Sequence, residues 1–142
     1  MTMKKARQCS GILFWFKDSN NDIWVLIGRR QSAPCKGMWS IPFMQCEHQE
    51  KTKLTTEDIK NTALMVSQKE FGLQIDLSED LKLLGTKKGL FKKYIVFAYQ
   101  YTSMELPPLK NNFLMVMWSK SDEVPKPHTL FLNRLLGKLK AF

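Results

Sequence analysis

The chain opens its patterned part with an almost unbroken apolar segment over residues 9–17. Ile12, Leu13, Phe14, Trp15 and Phe16 follow one another, and the turn formers Asp18-Ser19-Asn20-Asn21-Asp22 come next. A second β-branched and apolar run over 23–28 completes what reads as a β-hairpin. Residues 29–37 contain Pro34 and Gly37 and read as a loop. Over 38–42 the chain returns to extended character, because proline disfavours the helical region for the residue before it. A helix is predicted from Thr55, a capping hydroxyl followed by Glu57 and Asp58 in the dipole-favoured first turn, to about residue 71. Ile59, Ala63 and Val66 recur at the spacing of one buried face, and Gly72 is the expected stop. Leu73, Ile75 and Leu77 alternate with polar residues, and strands are predicted over 81–86, 94–102 and 113–119. Pro107-Pro108 marks a loop, and Thr129 caps a final amphipathic helix carrying Leu130, Phe131, Leu135, Leu136 and Leu139. Strands, helix, strands, helix: this order predicts an α+β sandwich with a mixed sheet between two helices, formed as a single domain over residues 1–142.

Composition narrows the class. With 142 residues, 44% of them hydrophobic and 25% charged, the chain has enough apolar material for one core and too much for a disordered segment. The longest apolar runs, 11–16 and 113–118, fall far short of the roughly 20 residues that span a bilayer. No membrane association is expected. Lys4, Lys5 and Arg7 precede the first apolar run, but that run ends at Lys17 with no small-residue cleavage site, so no signal peptide is expected. Cys9, Cys35 and Cys46 form no CxxC pair and no zinc pattern, which points to a reducing compartment and a cytoplasmic location. The formal charge of +9 favours polyanionic partners such as nucleotides, nucleic acid or acidic lipid heads, although surplus lysine also serves solubility alone.

Four stretches, in order, carry a family resemblance. Ser10-Gly11-Ile12-Leu13 looks like a first strand, and Val25-Leu26-Ile27-Gly28-Arg29-Arg30 like a strand ending in basic residues. Gly37-Met38-Trp39-Ser40-Ile41-Pro42 is similar to a "G-x-W-x-x-P" signature opening. Residues 63–73, ending Glu70-Phe71-Gly72-Leu73, look like the end of a signature helix, "A-x-x-R-E-x-x-E-E-x-G-hydrophobic". Together they resemble the Nudix hydrolases, the MutT-like pyrophosphohydrolases. The resemblance implies a Nudix-like α/β/α sandwich and attack of a metal-activated water on a nucleoside diphosphate linked to another moiety. It also implies Mg2+ or Mn2+ as the cofactor, held by carboxylates that the E-x-x-E-E spacing gathers on one helix face.

At the signature itself the chain departs from that pattern. With Gly72 aligned on the family glycine, Met65 stands at the arginine, Val66 and Lys69 stand at two of the helix carboxylates, and Glu70 stands at the third. Phe43 and Met44 replace the paired glycines, while Glu47 and Glu50 sit where the family has acidic residues ahead of its helix. By resemblance the candidate catalytic residues are Glu70 and Glu50, and the candidate metal ligands are Glu70, Glu47 and Glu50. Arg29 and Arg30 are candidate phosphate contacts, since a guanidinium fork suits phosphate. Trp39 is a candidate stacking surface, with core packing as the competing reading. His48 and His128 stand in no recognisable triad. Lys87, Lys88, Lys92 and Lys93 bracket a hairpin tip that a polyanion would meet, with a solvated turn as the competing reading.

The combined expectation is a Nudix-type protein that binds or acts on nucleotide-derived compounds in a cleft between the sheet and the signature helix. Its metal-dependent pyrophosphohydrolase activity is expected to be weakened or lost, because a lysine in place of a carboxylate repels a dication and valine offers no donor. The alternative is a non-catalytic module of the same fold that binds RNA or a protein partner, as some family members lacking the signature carboxylates do. Neither reading fixes an oligomeric state.

Overall fold

The computed structural model describes residues 7–31, 36–46, 55–72, 81–89, 92–101 and 113–141. Strand β1 (Arg7–Lys17) and strand β2 (Ile23–Arg30) form the expected hairpin, with Trp15 opposite Val25 and Lys17 opposite Ile23. The turn is organised by one carboxylate. Asp18 accepts from the backbone N–H groups of Asn20 and Asp22, each at 2.9 Å, and from the indole Nε1 of Trp24 at 2.9 Å. Asn21 adopts the left-handed conformation, φ 65°, that asparagine tolerates better than most residues.

Beyond this paired end β1 and β2 separate, and the next segment fills the gap. Strand β3 (Trp39–Ser40) pairs with β2, and strand β4 (Phe43–Gln45) pairs with β1, both antiparallel. The second of these strands lies just beyond the extended stretch 38–42, at residues to which the sequence pattern assigns no element. Strand β5 (Lys82–Lys88) pairs antiparallel with strand β6 (Lys92–Gln100), and β6 runs parallel to β1 over its whole length from Arg7↔Lys92 to Trp15↔Gln100. That parallel partner explains why β1 starts at Arg7 and β6 at Lys92, both earlier than the apolar pattern alone indicates. Strand β7 (Phe113–Lys120) closes the other edge against β2. The result is the mixed seven-stranded sheet expected from the order of elements.

Because side chains alternate across a strand, each helix receives its own half of the core. Helix α1 (Thr56–Val66) buries Ile59, Ala63 and Val66 against Ile12, Phe14, Leu26, Phe97 and Trp118. Helix α2 (Leu130–Leu139) buries Phe131, Leu132, Leu135, Leu136 and Leu139 against Leu13, Trp15, Val25, Ile27 and Val96. Each fully buried aliphatic or aromatic side chain contributes about 1.5–3 kcal/mol. Thr55 caps α1 through a capping box, with its hydroxyl accepting from the Asp58 N–H and the Asp58 carboxylate accepting from the Thr55 N–H. The predicted single helix to residue 71 is α-helical only to Val66. Ser67–Phe71 forms a π-helical turn, and Gly72 ends it in the left-handed conformation, φ 65°. Among the described residues no helix is long and apolar enough to cross a membrane.

Candidate functional site

A cleft of about 460 Å³ opens on the α2 side of the sheet, within the range of roughly 300–1,000 Å³ usual for small-molecule sites. Its apolar part is an aromatic cluster drawn from three elements. The rings of Phe43 on β4 and Tyr94 on β6 meet edge-on at 5.2 Å, and Phe131 from the first turn of α2 lies 6.0 Å from Phe43 and 6.3 Å from Tyr94. Met38, Met44 and the 83% exposed Leu130 extend this surface to the rim.

The polar part is cationic. Arg30, Lys87 and Lys92 line the cleft together with the uncharged Ser40, Gln45 and Thr129. Lys87 Nζ sits 5.8 Å from the centre of the Phe131 ring, and the Arg134 guanidinium lies 5.9 Å from the same ring. Among the described residues no carboxylate lines the cleft. The surrounding sequence agrees, since residues 81–101 and 124–142 contain no Asp or Glu at all.

Backbone links hold these walls in place. The Arg30 N–H donates to Met38 O at 3.0 Å and the Arg30 carbonyl accepts from the Gly37 N–H at 2.8 Å, which fixes the end of β2 beside the segment leading to β3. The Trp39 N–H donates to Pro127 O at 2.9 Å and the Thr129 N–H donates to Trp39 O at 3.2 Å, so the start of α2 is tied to β3. Thr129 Oγ1 then accepts from the Leu132 N–H at 3.2 Å and caps the helix as expected.

The expected site residues separate. Arg30 lines the cleft, whereas Arg29 is exposed and its Nε donates to Gly37 O at 3.1 Å, steadying the loop. The register of β2 against β7 shifts between these two arginines, and bulges of this kind re-aim the side chains beside them. Trp39 is 7% exposed and packs in the α2-side core with Val25, Ile27 and Phe131, so aromatic lining comes from Phe43, Tyr94 and Phe131 instead. Glu70 lies on the other side of the molecule. It is 8% exposed in the π turn and continues the buried stripe of α1 after Val66, away from the cleft. This cleft sits between the sheet and α2, since Phe43 and Tyr94 pack with the α2-side core and Lys87 reaches the Phe131 ring, whereas the sequence expectation concerned the space between the sheet and the signature helix. Glu47 and Glu50 lie outside the described residues, as do Cys35, His48, Leu73, Ile75, Leu77, Leu90, Phe91 and the Pro107-Pro108 loop.

Lys87 and Lys92 were visible in sequence as part of a lysine-rich hairpin. Phe43, Tyr94 and Phe131 carried no signal of their own, since their meeting depends on β4 filling the gap between β1 and β2. Cys9 also lines the cleft. Burial pushes its thiol above the ordinary value, with the Lys92 ammonium opposing, and burial does the same to Cys46 against a hydrogen bond from Thr62. Both thiols therefore stay protonated at neutral pH, which disfavours a thiolate nucleophile.

The fold is that of the Nudix hydrolases, an α/β/α sandwich. A crystal structure of a MutT NUDIX hydrolase from Burkholderia pseudomallei matches with a TM-score of 0.73 at 16% identity, over 96% of this chain and 99% of that one. The NUDIX domain of Shewanella oneidensis NrtR, crystallised with ADP ribose, matches with a TM-score of 0.73 at 12% identity, over 98% of this chain and 89% of that one. A MutT/nudix family protein from Enterococcus faecalis matches with a TM-score of 0.68 at 12% identity, over 84% of this chain. The chain spans 46% of that protein's length. At the level of sequence, no protein-family profile and no curated protein matches the chain. Likeness at these identities establishes the fold.

Proposed function

We propose that the protein binds a nucleotide-derived compound, a nucleoside diphosphate linked to a further group, in the cleft between the sheet and α2, and that its hydrolytic activity is weak or lost. The observation that carries the binding reading is the pairing of an aromatic surface with cations in one cleft. Phe43, Tyr94 and Phe131 suit a base, and Arg30, Lys87 and Lys92 suit its phosphates. The ADP ribose held by the NrtR domain of the same fold supports this choice of ligand class.

The weakened chemistry rests on the donor set of the signature helix. Val66 is 0% exposed and packs with Ile59, Ala63 and Phe14, and Lys69 is an exposed cation. Only Glu70 brings a carboxylate to the helix positions where the family gathers three, so the helix itself supplies fewer oxygen donors than a divalent metal needs. Among the described residues no three His, Cys, Asp or Glu side chains cluster as a metal site. The test is calorimetric titration with ADP ribose beside a phosphate-release assay over nucleoside triphosphates and nucleotide sugars in magnesium or manganese. Saturable binding with negligible turnover is expected. No binding removes the nucleotide reading, and brisk metal-dependent turnover removes the claim of weakened chemistry.

A second reading, RNA binding, is favoured by one specific arrangement. Arg7 lies directly opposite Lys92 and Lys88 directly opposite Lys93, so like charges face each other across neighbouring strands. Such pairs destabilise a sheet slightly unless a polyanion neutralises them. A short single-stranded RNA should then bind with an affinity that falls steeply with salt, and the absence of saturable binding at low salt removes this reading.

A further inference from the structure

Resting on the nucleotide-binding reading above, we propose that the cleft holds its phosphate-bearing ligand without a divalent metal, with Arg30, Lys87 and Lys92 supplying the countercharge. Free magnesium then competes with the protein for the ligand instead of assisting it.

The sign of the lining charge separates the two kinds of site. A metal-assisted phosphate site surrounds a dication with carboxylates, so that metal and ligand arrive together. Here the charged groups lining the cleft are an arginine and two lysines, and no carboxylate joins them among the described residues. A dication in this cleft would meet like charges at close range, where the screening that water gives is reduced. The same three cations suit bare phosphate oxygens directly, through charge-assisted hydrogen bonds. The strands and helix that build the walls reinforce this field, since β5, β6 and α2 contain lysines and an arginine but no acidic residue. The polypeptide offers no nearby carboxylate on those elements to neutralise Lys87 or Lys92, so a ligand anion is the natural counterion.

Magnesium acts on the other partner. A nucleoside diphosphate in millimolar magnesium carries the metal on the oxygens that Lys87 and Lys92 would contact, and it presents less negative charge. Binding should therefore be tighter in chelator than in magnesium, the reverse of a metal-assisted Nudix site. An uncharged nucleoside keeps only the aromatic contacts and should bind far more weakly in both buffers.

The experiment is a fluorescence or calorimetric titration of the full chain with ADP, in EDTA and in millimolar magnesium, with adenosine in parallel. Tighter binding in EDTA, and a fall of about tenfold in Lys87→Gln or Lys92→Gln, is the expected result, and equal affinity in the two buffers overturns the competition with magnesium. Both lysines are exposed, so these variants should keep the fold, which a thermal scan checks. Lys82→Gln, on the same strand but outside the cleft lining, should leave affinity unchanged. Binding that requires magnesium overturns metal independence and leaves the nucleotide-binding reading standing. Binding in EDTA that neither lysine variant weakens overturns the assignment of the cations. No binding of ADP or ADP ribose in either buffer overturns both readings together.

Discussion

Gly11 on β1 lies directly opposite Phe43 on β4, and a methyl group at Gly11 would come within 2.5 Å of Phe43 Cδ1 and 2.9 Å of Pro42 O. The missing side chain is what lets the Phe43 ring sit against β1 and turn its edge to Tyr94 in the cleft. Gly11→Ala should therefore push Phe43 out of place, because overpacking a tight contact costs about 1–3 kcal/mol. Urea unfolding should show that loss, and titration with ADP ribose should show weaker binding. In the double variant Gly11→Ala/Phe43→Leu, where the bulky ring is gone but the contact with Pro42 O remains, part of the lost stability should return. A stable Gly11→Ala variant with unaltered affinity would mean that the ring position matters to neither.

Val66 has become a core residue. Restoring the family carboxylate there would bury a charge among Ile59, Ala63 and Phe14, and an unpaired buried charge costs several kcal/mol unless the group neutralises or the helix shifts. Val66→Glu should thus lower the urea midpoint sharply. Lys69→Glu, on the exposed side of the same turn, should leave it nearly unchanged. Neither change alone should create magnesium-dependent turnover. A Val66→Glu/Lys69→Glu protein as stable as the parent, and active in magnesium, would show that the helix can still rotate into the family's arrangement.

The order of elements, the hairpin, both helix caps and the Gly72 stop were legible because each is set by local chemistry. Turn formers at 18–22, hydroxyls at 55 and 129, and a glycine that tolerates positive φ all act within a few residues. The cleft was less legible because it is a tertiary product. Phe43 reads in sequence only as a lost glycine, and nothing local announces that residues 43–45 will pair with β1. Adjacent residues also parted company for a nonlocal reason. Arg29 and Arg30 are equivalent in sequence, but the register shift against β7 leaves one beside Gly37 and the other in the cleft. Trp39 has the aromatic character of a stacking residue, and its burial is decided by the link between β3 and the start of α2.

Thr129 joins stability to the cleft. Its hydroxyl caps α2, and the two residues that follow it, Leu130 and Phe131, line the cleft. Thr129→Ala should lower stability by about 1 kcal/mol, the usual cost of losing a hydroxyl cap, while Thr129→Ser should retain most of it. Fraying of the first turn would also loosen Phe131, so ligand affinity should fall in the alanine variant and recover in the serine variant. Equal affinity in all three proteins would separate the cap from the site.

The acid limb of stability should depend on two carboxylates far from the cleft. The Trp24 indole N–H, helped by the Asp22 and Asn20 backbone N–H groups and by Lys120, holds the Asp18 carboxyl below its ordinary value of 3.8. The Thr55 backbone N–H and hydroxyl hold the Asp58 carboxyl below the same value. A carboxyl lowered in the folded state binds protons more readily when unfolded. Its contribution is therefore complete above the unfolded value and disappears as pH falls through the folded one. Urea midpoints measured from neutral pH down through the carboxylate range should fall in the parent protein. They should fall less in Asp18→Asn and Asp58→Asn, which begin lower at neutral pH because a bond to the charged oxygens is already lost. Parallel acid limbs in parent and variants would show that these two carboxylates play no part in the loss, and would move the search to the remaining acidic residues.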